Sequence, residues 1–188
     1  MPTHLALLRG INVGGHNRLA MADLRGVMTS LGHADVATYI QSGNVVFTTA
    51  GPNMKVLAAE LERAIADTLG VRPKVLVLSR DELSQVVAAN PYPEETNPKC
   101  LHGVFRADAM GPDDIAAVAD ALERARANGS ADDATVVGRT LYLRTPDGLG
   151  RSELAAQLAR AKGPLSRDAP TTARNWATVL KLLALLEA

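Results

Sequence analysis

Cysteine is almost missing from this 188-residue chain: Cys100 is the only one, so no internal disulfide can form and a packed core must carry the stability. Aromatic residues are nearly as scarce, at 3 % with a single tryptophan, which leaves little material for a surface that stacks the bases of single-stranded nucleic acid. Net charge is absent as well. The 20 Lys/Arg cancel the 20 Asp/Glu, an unfavourable balance for coating nucleic acid nonspecifically. No apolar run approaches the roughly 18 residues of a membrane span, and even residues 179–186 are interrupted by Lys181. Residues 1–9 hold no basic segment ahead of their short apolar stretch, so they do not read as a secretory signal, and the expected location is the cytoplasm.

The motifs of several chemistries are missing too. Of four histidines, His4, His16, His33 and His102, none has a paired-ligand spacing, and no second cysteine exists to complete a zinc site, so no metal is expected. There is no Gly-x-Ser-x-Gly elbow. Cys100 and His102 stand two apart and would share a strand face, a couple that in other settings activates a thiol, although a buried cysteine is commonly an inert small hydrophobe. Gly10-x-x-x-Gly14-Gly15 matches neither the dinucleotide fingerprint nor a Walker loop, so no particular cofactor is indicated.

What is present reads as alternating short elements. Hydrophobic residues at 47 % and charged residues at 21 % suit a globular chain. Residues 5–8 form a buried-looking strand; Met21, Leu24, Val27, Met28 and Leu31 recur at helical spacing before Gly32. Residues 36–41 and 44–49 flank Ser42-Gly43 as a hairpin, Met54, Leu57, Leu61, Ile65 and Leu69 mark a second helix, and 74–79 a further strand. This βαββαβ order predicts the split ferredoxin-like unit, two helices over a four-stranded antiparallel sheet. A short helix at 81–89 completes a first half, residues 1–89. Three prolines in 90–98 mark a linker.

From 99 to 188 the order repeats in part: a strand at 99–106, a helix with Ile115, Val118 and Leu122 inward, strands at 135–137 and 140–144, and a helix around Leu154 and Leu158. A last helix is expected over 172–186 in place of a fourth strand, with Trp176, Val179, Leu180, Leu183 and Leu186 buried and Arg174, Thr178 and Lys181 on another face. The expected fold class is therefore α+β, two related ferredoxin-like halves with helix-covered antiparallel sheets and an appended C-terminal helix.

Charge is segregated along the chain. Residues 90–133 carry four Lys/Arg against nine Asp/Glu, residues 134–188 eight against four, and the first 22 hold Arg9 and Arg18 with no acid. In a split βαββαβ unit strands one and two run the same way, so the loop leaving the first strand and the turn between the second and third fall at one end of the sheet. That brings Arg9, Asn12, Gly14, Gly15, His16 and Asn17 near Gln41, Ser42 and Asn44. Small hydrogen-bonding groups, bared backbone N–H and arginine suit an anion, while the same residue types also serve as ordinary turn formers. Gly148, Gly150, Arg151 and Ser152 make a second such loop ahead of a helix, where Ser152 is equally an N-cap.

Three segments, Leu7-Leu-Arg-Gly-Ile-Asn-Val-Gly-Gly15, Thr38-Tyr-Ile-Gln-Ser-Gly-Asn-Val-Val-Phe47 and Thr172-Ala-Arg-Asn-Trp-Ala-Thr-Val-Leu-Lys181, together resemble the bacterial domain-of-unknown-function family numbered 1697 over nearly the whole chain. Gly148-Leu-Gly-Arg-Ser152 fits it as well, and Ala173 stands as an extra residue in the third segment. The resemblance implies two related α+β subdomains and no established activity. The functional expectation is an anionic ligand, a nucleotide or phosphorylated metabolite, in a cleft between the halves. Arg9, Arg151 and Arg174 would meet its oxygens, Gly14 and Gly15 would admit its approach, and Asn12, Gln41, Ser42, Asn44 and Ser152 would orient it. The alternative is a non-enzymatic module that docks on nucleic acid or an acidic protein, which salt would distinguish.

Overall fold

The computed structural model describes residues 1–14, 17–51, 53–160, 163–166 and 169–188. The chain forms two compact units, residues 1–85 with 180–188, and residues 86–179.

The first unit begins with β1 (His4–Arg9), followed by α1 (Met21–Ser30), β2 (Ala34–Tyr39), β3 (Asn44–Thr48), α2 (Met54–Leu69) and β4 (Lys74–Ser79); α3 (Arg80–Ala88) starts in it and runs across its boundary at residue 85. The sheet order is β2-β3-β1-β4 and every neighbouring pair is antiparallel, the expected split topology. Ala6 and Leu8 alternate with Leu5 and Leu7, and all four are buried, which is why β1 reads as an unbroken apolar run rather than an alternating one. The helix-side core joins Ala6, Leu8, Val45, Phe47 and Val77 of the sheet to Leu24 and Met28 of α1 and Leu57, Leu61 and Ile65 of α2. Asn53 caps α2 by accepting from the Lys55 and Val56 amides, and Gly70 ends it in the left-handed conformation, φ 67°.

The second unit holds β5 (Leu101–Arg106), α4 (Pro112–Ala127), β6 (Asp133–Val137), β7 (Thr140–Arg144), α5 (Glu153–Leu158) and β8 (Thr171–Asn175), and α6 (Trp176–Leu186) follows. Its sheet order, β6-β7-β5-β8, repeats the first with β8 in the place of β4. This corrects the expectation of a copy that ends on helices: the fourth strand is present. Thr171–Asn175 pairs along β5, with Thr172 opposite Phe105 and Arg174 opposite Gly103, and α6 starts only after Asn175, whose Oδ1 accepts from the Thr178 amide at 2.8 Å. Arg174 thus leaves the helical face assigned to it with Thr178 and Lys181. Two further expectations change. Ile115 is 49 % exposed, while Val118 is buried and Leu122 partly buried as expected and Ala121 and Ala125 join them; Leu180 is 42 % exposed while Leu182 is buried. The true stripe of α6, Trp176, Val179, Leu182 and Leu186, advances by three, three and four.

Buried histidines make the fold sensitive to acid. His4 and His33 flank the Phe47 ring at centroid distances of 5.7 and 4.8 Å. Burial lowers the pKa of both, and Glu82 and Glu60 respectively oppose that shift only in part. Burial also lowers that of His102. An unfolded chain takes up these protons near pH 6.5 whereas the native one does so only at lower pH, so stability is lost as pH falls below about 6.5. Each histidine contributes a slope of at most about 1.4 kcal/mol per pH unit. The urea midpoint is therefore expected to be lower at pH 5.5 than at pH 7.5; equal midpoints would contradict the histidine assignment.

Candidate functional site

The antiparallel register brings the exit of β1 to the entrance of β3. Leu7 lies opposite Asn44 and the Leu8 amide donates to the Gly43 carbonyl at 2.8 Å. The loop after β1 and the turn at 40–43 therefore meet at one end of the first sheet, as the element order implies.

Asn12 ties the two segments. Its Nδ2 donates to the Gln41 carbonyl at 2.8 Å and to the Leu19 carbonyl at 3.0 Å, while its Oδ1 accepts from the Leu19 amide at 2.8 Å. Both amide hydrogens and the carbonyl oxygen are spent on backbone groups, so this side chain acts as a clamp. Asn17 closes the loop from the other side, with Nδ2 donating to the Gly10 carbonyl at 2.8 Å and its own carbonyl accepting from the Asn12 amide at 3.1 Å. Gly10, Asn12, Gly14 and Asn17 all have positive φ. Such repeated left-handed bends are accessible to Gly and Asn at small cost.

The turn is fixed from within. Asn44 is fully buried, and its Nδ2 donates to the Tyr39 carbonyl at 3.0 Å and to Ser42 Oγ at 2.9 Å. Gly43 has φ 74°, and a Cβ there would lie 2.7 Å from both Ile11 Cδ1 and Leu8 Cβ. Gln41 is exposed and Ser42 half-buried. Arg9 is half-buried at the end of β1, with Lys74 as its Cα partner on β4. Gly14 is exposed, with open space where a side chain would stand. Gly15 and His16 lie outside the described residues.

Sequence reasoning overlooked several groups at this end. Arg72 is exposed in the segment leading into β4, and Lys74 Nζ is 3.3 Å from Glu62 Oε2. Only the β1–β4 pairing, which joins positions sixty-five apart, brings Lys74 beside Arg9. Val13 and Ile40 are 69 % and 51 % exposed. α1 opens at Ala20, which has no side chain to cap it.

The remaining candidates belong to the second unit. There the counterpart of the loop end is the exit of β5 with the Gly138-Arg139 turn, whereas Arg151, Ser152 and Arg174 sit toward the opposite end, where β5 begins: the segment after β7 starts with the Thr145 amide on the Cys100 carbonyl, and Arg174 pairs with Gly103. Ser152 is the N-cap of α5. Its Oγ accepts from the Ala155 amide and donates to Oδ2 of the buried Asp132, both at 2.8 Å, and the same Asp132 oxygen accepts from the Leu154 amide at 3.2 Å. Replacing Ser152 with Ala is expected to cost about 1–2 kcal/mol, read from chemical denaturation; an unchanged midpoint would contradict the capping role. Arg151 is exposed at the end of a 3-10 turn, Leu149–Arg151. Arg174 Nη1 donates to Thr172 Oγ1 and the Ala173 carbonyl at 2.9 and 2.8 Å, and burial pushes its guanidinium pKa down to about 10. It stays charged at neutral pH. Cys100 Sγ donates to the Pro146 carbonyl at 3.4 Å, and the buried Nδ1 of His102 makes no hydrogen bond. Among the described residues no three His, Cys, Asp or Glu side chains gather as a metal-binding group, and no helix is long and apolar enough to cross a membrane.

Two ferredoxin-like α+β units define the architecture, and known proteins share it. The chain belongs to the family described as "Protein of unknown function (DUF1697)", which matches residues 1–142. It is similar in fold to the solved structure of the conserved bacterial protein SP0830 from Streptococcus pneumoniae, with a TM-score of 0.72, 22 % identity and 98 % of each chain covered. No curated protein matches the chain.

Proposed function

We propose that the protein binds a small anionic ligand, a nucleotide or other phosphorylated metabolite, at the loop end of its first unit. The observation that carries this reading is the clamp: Asn12 holds the loop after β1 to the Gln41 carbonyl, so two segments about thirty residues apart are organised as one surface before any ligand arrives. Such preorganisation lowers the entropy lost on binding. Arg9 and Arg18 bring positive charge to that surface, and the first 22 residues hold no acid; of the two cations on the β4 side, Lys74 is paired with Glu62 and Arg72 is exposed. Gly14 bares its backbone, and Gln41 and Ser42 add neutral donors and acceptors for orientation. The first turn of α1 has no side-chain cap and presents N–H groups at the same end, its partial positive charge offset by Asp23 in that turn. Asn12 and Asn44 are assigned to building the site, since their amide hydrogens already serve the loop and the turn.

Thermal shift against nucleotides, sugar phosphates and coenzymes, with calorimetry on any that respond, tests the proposal. One or more should raise the melting temperature and should do so less in Arg9→Ala. A panel without response would overturn it. Affinity that collapses steeply between about 50 and 200 mM salt and ignores ligand identity would instead support the alternative, a module that docks on a phosphate backbone.

A further inference from the structure

Two exposed apolar side chains border the pair of residues that Asn12 joins. Val13 follows Asn12 and Ile40 precedes Gln41, and they are 69 % and 51 % exposed. The packing needs of these segments are met by others: Ile11 and Leu19 are buried, and Ile11 lies against Gly43. Ile40 is unfavourable for folding on a second count. Its φ of 49° puts a β-branched side chain in the left-handed region, a backbone state that Asn or Gly occupies far more easily. Strain of this kind clusters at ligand clamps.

At the same end of the sheet are two cationic side chains, Arg9 at the last position of β1 and Arg18 in the loop that follows, whereas Lys74, across β1 from β3, is paired with Glu62. Two apolar side chains are far too few for a protein interface of about 800 Å² per partner, yet they are enough to flank one ring or short alkyl group. Charge complementarity selects an anion and the apolar pair selects its organic part.

We infer that Val13 and Ile40 are specificity-determining residues that hold an aryl or alkyl group of the ligand next to its charged oxygens, so that the site takes organic phosphate esters in preference to inorganic anions. The inference rests on the anion-binding reading above, and the test separates the two.

Calorimetric titration of the full chain with inorganic phosphate and with phenyl phosphate measures the preference. The wild type should bind phenyl phosphate at least about tenfold more tightly, the discrimination that one small apolar contact provides. In Ile40→Asn that ratio should fall toward one while the melting temperature rises by about 2–4 °C as strain is relieved. Val13→Ser, made where no residue-specific strain is at issue, is titrated in parallel and should also lower the ratio. Equal affinity for the two probes in the wild type would overturn this inference and leave anion binding standing. No binding of either would overturn both. Full preference retained in both variants would likewise reject the roles of Val13 and Ile40.

Discussion

Replacing Gly43 with Ala should destabilise the first unit by about 2–6 kcal/mol, the largest effect expected of any single methyl group added to the site. Two costs combine. The added Cβ would lie 2.7 Å from Leu8 Cβ and from Ile11 Cδ1, and Leu8 Cβ cannot retreat because β1 is paired on both sides. Overpacking of this kind costs about 1–3 kcal/mol. The backbone φ of 74° adds a conformational penalty of about 1–3 kcal/mol for a residue with a side chain. Urea unfolding followed by circular dichroism reads the change; the single tryptophan is a poorer probe because Trp176 belongs to the second unit. A loss under about 1 kcal/mol would mean that the turn does not pack against the β1 exit as described.

Asn12→Ala carries the second large effect, a loss of about 2.5–6 kcal/mol. Three hydrogen bonds disappear, each contributing about 0.5–1.5 kcal/mol. Alanine must also adopt the positive φ of 53° at this position, which costs about 1–2 kcal/mol. Asn12→Gly separates the two contributions, because glycine accepts the conformation and still lacks the amide. It should fall between wild type and Asn12→Ala in stability. In binding it should resemble Asn12→Ala, since both release the loop from the turn. If Asn12→Gly bound an anion as well as the wild type does, the clamp would have no part in organising the site.

These effects also show what a sequence can and cannot disclose. The stripe Leu57, Leu61 and Ile65 before Gly70 was plain because α2 is long, amphipathic and ended by a glycine in the left-handed conformation. The meeting of the two loops followed from element order alone, through the parallel course of β1 and β2 on either side of β3. β8 escaped notice because Thr171–Asn175 has little apolar alternation and runs without a break into α6. Its strand character comes from pairing with β5, a tertiary cause. The overlooked sign was Asn175, a capping residue placed immediately before Trp176.

Within the site, residue types were legible and their directions were not. Asn12, Gln41 and Asn44 read alike as small polar groups, yet Asn12 and Asn44 spend their amide hydrogens inside the loop and turn, while Gln41 is exposed. Ser152 with Arg151 suggested an anion site, but the Ser152 hydroxyl is engaged by Asp132 and the Ala155 amide. Lys74 could be placed beside Arg9 only once β4 was paired with β1. Hydrogen-bond direction and strand neighbours are decided by packing, which a one-dimensional pattern does not encode.

Backbone amide NMR of the full chain titrated with adenosine diphosphate tests the central claim most directly. The account predicts saturable shift changes concentrated at residues 9–14 and 40–44 and strongly weakened in Arg9→Ala. An unchanged spectrum, or changes centred on Arg151 and Arg174 instead, would contradict it.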